Sequence, residues 1–184
     1  MTDLTHLEAQ VRECFGRAIY THKTHEKMAD RCAASLRNWK IFQIAIAALT
    51  ASSALISAIF GQDWAKMAAA ALSFLTLIIS GYMKGFDPGG TAQKHRDTAS
   101  SIWAIRESYL SLITDMKSNA ISYEKAAERR DELQQKLASI YENAPQTNSS
   151  AYRDAQVGLQ ENEEYTFSDE ELDRFLPKAL RKDS

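Results

Sequence analysis

The stretch Ile41 to Phe60 reads IFQIAIAALTASSALISAIF, twenty residues without a charge, a proline or a glycine. At about 1.5 Å per residue such a helix rises about 30 Å, which matches the hydrocarbon thickness of a bilayer. A second apolar run, Met67 to Met83, follows almost at once. Extended back to Trp64 it reaches the same length, because Lys66 can snorkel its ammonium to the headgroups and Trp64 suits the interface. Trp39 and Tyr82 then fall at the opposite boundary. A buried hairpin in a water-soluble bundle would keep a polar face, whereas these runs offer only hydroxyls and one glutamine. The pattern predicts two transmembrane helices, 41–60 and 64–83. The three residues between them, Gly61-Gln62-Asp63, force the helices to return antiparallel and touch.

The averages over all 184 residues conceal this contrast: 45% apolar, 25% charged, net charge −2 and mean hydropathy −0.37. Between Ile41 and Met83 the only charges are Asp63 and Lys66. So small a net charge gives no global basic field for nucleic acid, and no nucleic-acid partner is expected. Glycine (7) and proline (3) are scarce, as suits long helices. The first forty residues carry seven bases, and Lys84, Lys94 and Arg96 follow the second run, against Lys66 alone near the turn. The positive-inside rule therefore predicts a multi-pass protein with both termini in the cytoplasm. No signal peptide is expected, because the first apolar run begins only at residue 41. Cys14 and Cys32 fit neither a zinc pattern nor a disulfide framework, and read as small apolar residues.

The flanks read as helices. Leu7, Val11, Phe15, Ala18, Met28, Cys32, Leu36 and Trp39 recur at helical spacing, with no proline before the first span, so this helix is expected to run into the span unbroken. His22 and His25 lie three apart on one face; without further ligands they read as a packed or solvated pair rather than a metal site. Lys84 to Gly90 (KGFDPGG) reads as a helix breaker. A helix resumes with Ala99, Ile102, Trp103, Ile105, Tyr109, Leu112, Ile113 and Met116 as its apolar stripe. Ser118 to Ser122 reads as a turn, and a helix over Tyr123 to Asn143 ends at Pro145. Residues 161–173 hold seven acids and no base. Ser168 and Glu171 form a capping box there, opening a short helix that Pro177 closes. Phe167, Leu172, Phe175 and Leu176, spaced among the acids, are expected to dock this segment onto the body.

The expected fold is all-α: an amphipathic helix over 1–40, a transmembrane hairpin over 41–83, cytoplasmic helices over 84–144 that build a helical bundle, and an acidic segment over 145–184. No nucleophile-and-base arrangement, metal cluster or cofactor fingerprint marks an enzyme, so no catalytic, metal or cofactor residue is assigned. The polar residues inside the spans carry more information. Gln43, Thr50, Ser53 and Ser57 share one stripe, and Ser73, Thr76 and Ser80 another. Small hydroxyls let helices pack closely; the same stripe also suits the lining of a water path. Both readings stand.

The layout also resembles a known family. The hairpin, then Phe86-Asp87-Pro88 and the run Ala92 to Ala99 (AQKHRDTA, with His95 and Arg96), is similar to the SLATT domain. Leu137 to Pro145 (LASIYENAP), with Tyr152, Ala155 and Phe167 to Glu171 (FSDEE), resembles its C-terminal part. SLATT domains are bacterial two-span effectors associated with nucleotide-second-messenger conflict systems. The resemblance implies a pore-forming antiviral defence effector of the bacterial inner membrane, acting by abortive infection when a sensor or second-messenger-producing partner signals. Two helices cannot enclose water, so such a pore requires a homo-oligomer in the lipid bilayer. The alternative is a membrane-anchored scaffold or sensor whose hairpin tethers a helical lobe for protein partners.

Overall fold

The computed structural model describes residues 2–182. Six α-helices succeed one another: α1 (Thr2–Phe60), α2 (Asp63–Phe86), α3 (Pro88–Lys117), α4 (Tyr123–Asn143), α5 (Ser149–Gln160) and α6 (Asp169–Phe175), with a 3₁₀ turn at Lys178–Leu180. No strand occurs among the described residues, and the protein is all-α. It divides into two compact units: residues 28–98 form one, and residues 1–27 with 99–184 form the other. The amphipathic helix of the first flank and the first apolar run are a single helix, since nothing in the sequence interrupts the α1 ladder.

The helical unit of residues 1–27 and 99–184 is built on three matching stripes. Leu7, Val11, Cys14 and Ala18 of α1 meet Ile102, Ile105, Tyr109, Leu112 and Met116 of α3, and Ala126 and Leu133 of α4. Spacings of three, four and seven bring each set to one helix face, and each large side chain removed from water contributes roughly 1.5–3 kcal/mol. Trp103 departs from its expected stripe and is 51% exposed. It lies one residue from Ile102, about 100° round the helix from the buried seam. Caps fix the element ends. Ser122 accepts from the Lys125 amide at the start of α4, Asn148 from Ala151 at the start of α5, and Ser168 from Glu171 at α6, each worth about 1 kcal/mol. Small residues Ala151, Ala155 and Gly158 form the buried face of α5. That helix is joined to α1 by a Tyr20–Tyr152 ring stack at 5.8 Å and a 2.6 Å bond from Gln160 to the Tyr20 hydroxyl.

The unit of residues 28–98 is the hairpin with its membrane-proximal ends. Gly61 turns the chain with φ of 65°, a left-handed value that costs glycine little. Asp63 is already the first residue of α2, so the connection is two residues rather than three; its carboxylate favours the positive helix start. The second break is tighter still. Asp87 alone leaves the helix, with φ 36°, and α3 begins at Pro88, so Gly89 and Gly90 lie inside its first turn instead of in a glycine-rich loop. Two devices shorten it: proline suits the first helical position, and the Asp87 carboxylate accepts from the Gly90 amide at 3.0 Å.

Candidate functional site

The two apolar runs are left uncovered by the rest of the protein: only 6% and 11% of their most hydrophobic windows is buried. Ile44, Phe74, Leu77 and Met67 are each more than 60% exposed. In water every such side chain would forfeit roughly 1.5–3 kcal/mol, so this surface requires lipid around it. Trp39, Phe42, Tyr82 and Phe86 gather at one end of the hairpin, with Trp39–Tyr82 centroids at 5.5 Å and Tyr82–Phe86 at 4.4 Å. Trp64 marks the other end, beside the Lys66–Asp63 pair at 2.9 Å. An aromatic girdle at one end and Trp64 at the other lie at the boundaries expected of a membrane-spanning pair. The protein is a membrane protein with two helices able to cross the bilayer.

Inside the hairpin the polar residues divide into two groups. Gln43, Thr50, Ser53 and Ser57 are half-buried, and so is Thr76 on α2. With the buried Ile46 and Ile79 they trace heptad-like seams, at 43, 46, 50, 53 and 57 on α1 and at 72, 76, 79 and 83 on α2. Ser73 and Ser80 are exposed on α2, Ser80 at the margin of the seam. Gln43 donates across the seam to Ser80 at 3.3 Å. The hydroxyls of Thr50, Thr76 and Ser80 each donate to their own helix, to the carbonyl four residues earlier, at 2.8–2.9 Å. Such back-bonding satisfies a hydroxyl in hydrocarbon without a partner helix.

Of the motif residues beyond the hairpin, Phe86 continues the aromatic girdle, while Asp87 and Pro88 form the α2–α3 break. His95 is buried, and burial pushes its imidazole below the usual range. Arg96 is exposed.

A second polar cluster lies in the helical unit. His22, Lys23, Thr24 and His25 are four consecutive buried residues of α1, a pattern that requires cover on nearly every side of the helix. Part of that cover is the C-terminal segment, through Glu164 and Tyr165. Glu164 forms ion pairs with Lys23 and with Lys27 at 2.9 Å. The Tyr165 hydroxyl donates to Glu26 at 2.5 Å. Its ring lies 4.4 Å from the Lys23 ammonium and 4.7 Å from the Arg106 guanidinium, and stacks on His22 at 5.5 Å. Arg106 lies 3.5 Å and the Tyr165 hydroxyl 3.1 Å from His22 Nδ1.

The electrostatics follow from these contacts. Hydrogen bonds from Lys23 and then Lys27 hold the Glu164 carboxyl down at about 2. Burial pushes the His22 imidazole below its usual range; Glu26 opposes this, while Arg106 and Lys23 add to it. For Lys23 burial works against the charge, but bonds to Glu164 and Glu26 outweigh it and raise the ammonium.

Sequence reasoning placed the docking of this segment on Phe167, Leu172, Phe175 and Leu176. All four are exposed, Phe175 by 77%. Residue 167 onward is held at its cap by Ser168 and, at Asp169, by Lys182 at 2.8 Å, not by burial of its apolar side chains. The available signal in the sequence was slight: Lys23 and Lys27 stand one turn apart on α1, with Glu26 between them. Among the described residues no three histidine, cysteine or acidic side chains gather as metal ligands.

A profile of the SMODS and SLOG-associating 2TM effector domain family 4 matches residues 7–171. No curated protein and no solved structure matches the chain.

Proposed function

The chain belongs to the SMODS and SLOG-associating 2TM effector domain family 4, and from that premise we propose that it is an oligomeric, membrane-permeabilising effector of a bacterial anti-phage conflict system. It acts in the inner membrane with both termini in the cytoplasm, without catalysis, when a separate sensor or signal releases it. The observation that carries this reading is the uncovered surface of the hairpin, which bears Ser73 away from the seam. Two helices cannot surround water, but several hairpins can present such faces to a shared path. The half-buried hydroxyls of the seam supply further polar surface if the two helices part. Trp103 (51% exposed) and Leu110 (46%), seven residues apart on α3, give the helical unit an apolar stripe that a second copy would cover.

One observation favours a membrane-anchored scaffold instead: the exposed Phe167 and Phe175 among acids, which suit a protein partner. Induced expression with a membrane-potential dye separates the two. Depolarisation with growth arrest supports permeabilisation; full membrane insertion with an unchanged potential supports the anchor.

A further inference from the structure

Along α2 the residues against α1 and the residues next to them follow the same rhythm. Ala65, Leu72, Thr76, Ile79 and Met83 are buried or half-buried, whereas Lys66, Ala70, Ser73, Leu77, Ser80 and Lys84 are all exposed. Steps of four and three keep each set on one helix face, the second about 100° round from the first. Elsewhere the exposed side chains of this span, such as Met67, Phe74 and Ile78, are apolar and suit lipid. Between Lys66 and Lys84 the second set is the one exposed stripe of α2 that carries a serine or a charge.

The Gln43–Ser80 bond fixes where α1 stands beside this stripe. Lys40 lies three residues before Gln43, and Lys84 four after Ser80, each one turn further along the same face. The helices are antiparallel, so both turns lead toward the Trp39–Tyr82 end of the hairpin. Both lysines are exposed, and among the described residues no ion pair engages either. Their nearest acid in sequence, Asp87, accepts from the Gly90 amide. At the opposite end Lys66 is already offset by Asp63 at 2.9 Å. Resting on the permeabilising reading above, the geometry points to a path selective for small inorganic anions such as chloride. This stripe lines the path, Lys40 and Lys84 of every copy ring one mouth, and Leu77, 67% exposed between Ser73 and Ser80, forms its dry waist. Rings of basic side chains select anions, and apolar constrictions close a path by excluding water. Each added hairpin brings two more ammonium groups to the same mouth, where the low-dielectric surroundings concentrate the counter-ion. Lysines that only snorkelled to headgroups would be equally exposed and would leave the choice of ion untouched.

The measurement is the reversal potential of purified full-length protein in planar bilayers of phosphatidylcholine under a potassium chloride gradient. Leu77→Ser is run beside the parent, because a hydroxyl at the waist wets the path without the trigger. The current should reverse on the chloride side. Lys84→Glu in the Leu77→Ser background should shift the reversal toward the potassium side. Lys40→Gln with Lys84→Gln, the second variant, should bring the chloride-to-potassium permeability ratio down toward unity. A reversal potential that ignores both variants, or that lies on the potassium side in the parent, would overturn the selectivity. If Leu77→Ser inserts and assembles but passes no current, the stripe lines no path and the inference falls. Depolarisation of cells judges the permeabilising reading separately. That reading survives a failure here if the induced parent depolarises cells, and falls with it if the potential is unchanged.

Discussion

Tyr165 joins the C-terminal segment to α1 and α3 through three different contacts: a hydrogen bond to Glu26, its face toward Lys23 of α1 and Arg106 of α3 and a stack on His22. Tyr165→Phe keeps the ring and loses the hydrogen bond, which should cost about 1 kcal/mol. Tyr165→Ala forfeits the cation contacts and the packing as well, about 3 kcal/mol. Both should appear as faster proteolytic release of the C-terminal segment, alanine exceeding phenylalanine. The same contact should weaken with acid. The folded value of His22 lies below its ordinary 6.5, so the unfolded chain takes up the proton first; the histidine's contribution is complete above pH 6.5 and is lost as pH falls below it. Glu164, held at about 2 against an ordinary 4.5, and Glu26, lowered in the same direction, contribute fully above pH 4.5 and fail as pH falls from there. Lys23 is raised above 10.5, so its contribution is untouched across the acid range. Protease protection of residues 161–182 should therefore fall in two stages, and His22→Gln should abolish the first. Protection that stays constant down to about pH 4 would remove the charged contact from the account. Of these residues only His22 stood out in the sequence, as half of a pair; Tyr165 lies 139 residues from Glu26, and no local periodicity reports so distant a partner.

At the scale of elements, periodicity and caps carried far more. The α4 boundaries, the serine cap at 168 and the unbroken course of α1 were all legible, because each depends on neighbours within one or two turns. The α2–α3 break was harder to read. KGFDPGG contains every residue that ends helices, but the Asp87 carboxylate and the proline restart the helix within a single residue. The polar stripe was legible as a set, and its division was not: which hydroxyls face the sister helix depends on how the hairpin packs, information that the spacing of one helix lacks. That division supplies a test. Leucine at Ser53, which is half-buried, overpacks the seam and should cost about 1–3 kcal/mol. It should lower hairpin stability in detergent and disturb assembly and leakage together. Leucine at Ser73, on the exposed side, has no seam to disturb and favours insertion. If Ser73 faces the water path of an oligomer, Ser73→Leu should leave oligomer mass unchanged and abolish dye leakage from liposomes. Unchanged leakage with assembly intact would take Ser73 out of the path.

At the scale of the whole molecule, sequence decided the class of the protein: an uncharged twenty-residue run constrains the environment more than any fold-level argument does. Orientation rests on the distribution of bases, and it is checked by a cysteine at Gln62 in a Cys14/Cys32-free background, which an impermeant thiol reagent should label from outside intact cells. Labelling of a cysteine at Thr2 instead would reverse the orientation. For the proposed effector the remaining question is what would keep it harmless before a trigger. The Glu164–Tyr165 contact grips Lys23, Glu26 and Lys27 of α1, and α1 continues without a break into the first span. A segment that holds part of a helix can bias any rearrangement in which that part rotates or shifts, provided the two states differ in the contact. Removing residues 146–184 should then raise basal toxicity, and Glu164→Gln with Tyr165→Ala should reproduce the effect while leaving the exposed α6 segment in place. The pairing of truncation and double mutant matters, because truncation alone also removes α5, whose Ala151, Ala155 and Gly158 face is buried. A double mutant that inserts, assembles and is no more toxic than the parent, beside a toxic truncation, would move the restraint to α5. If neither variant changes toxicity, the resting state is held elsewhere and the C-terminal segment serves only to complete the helical unit.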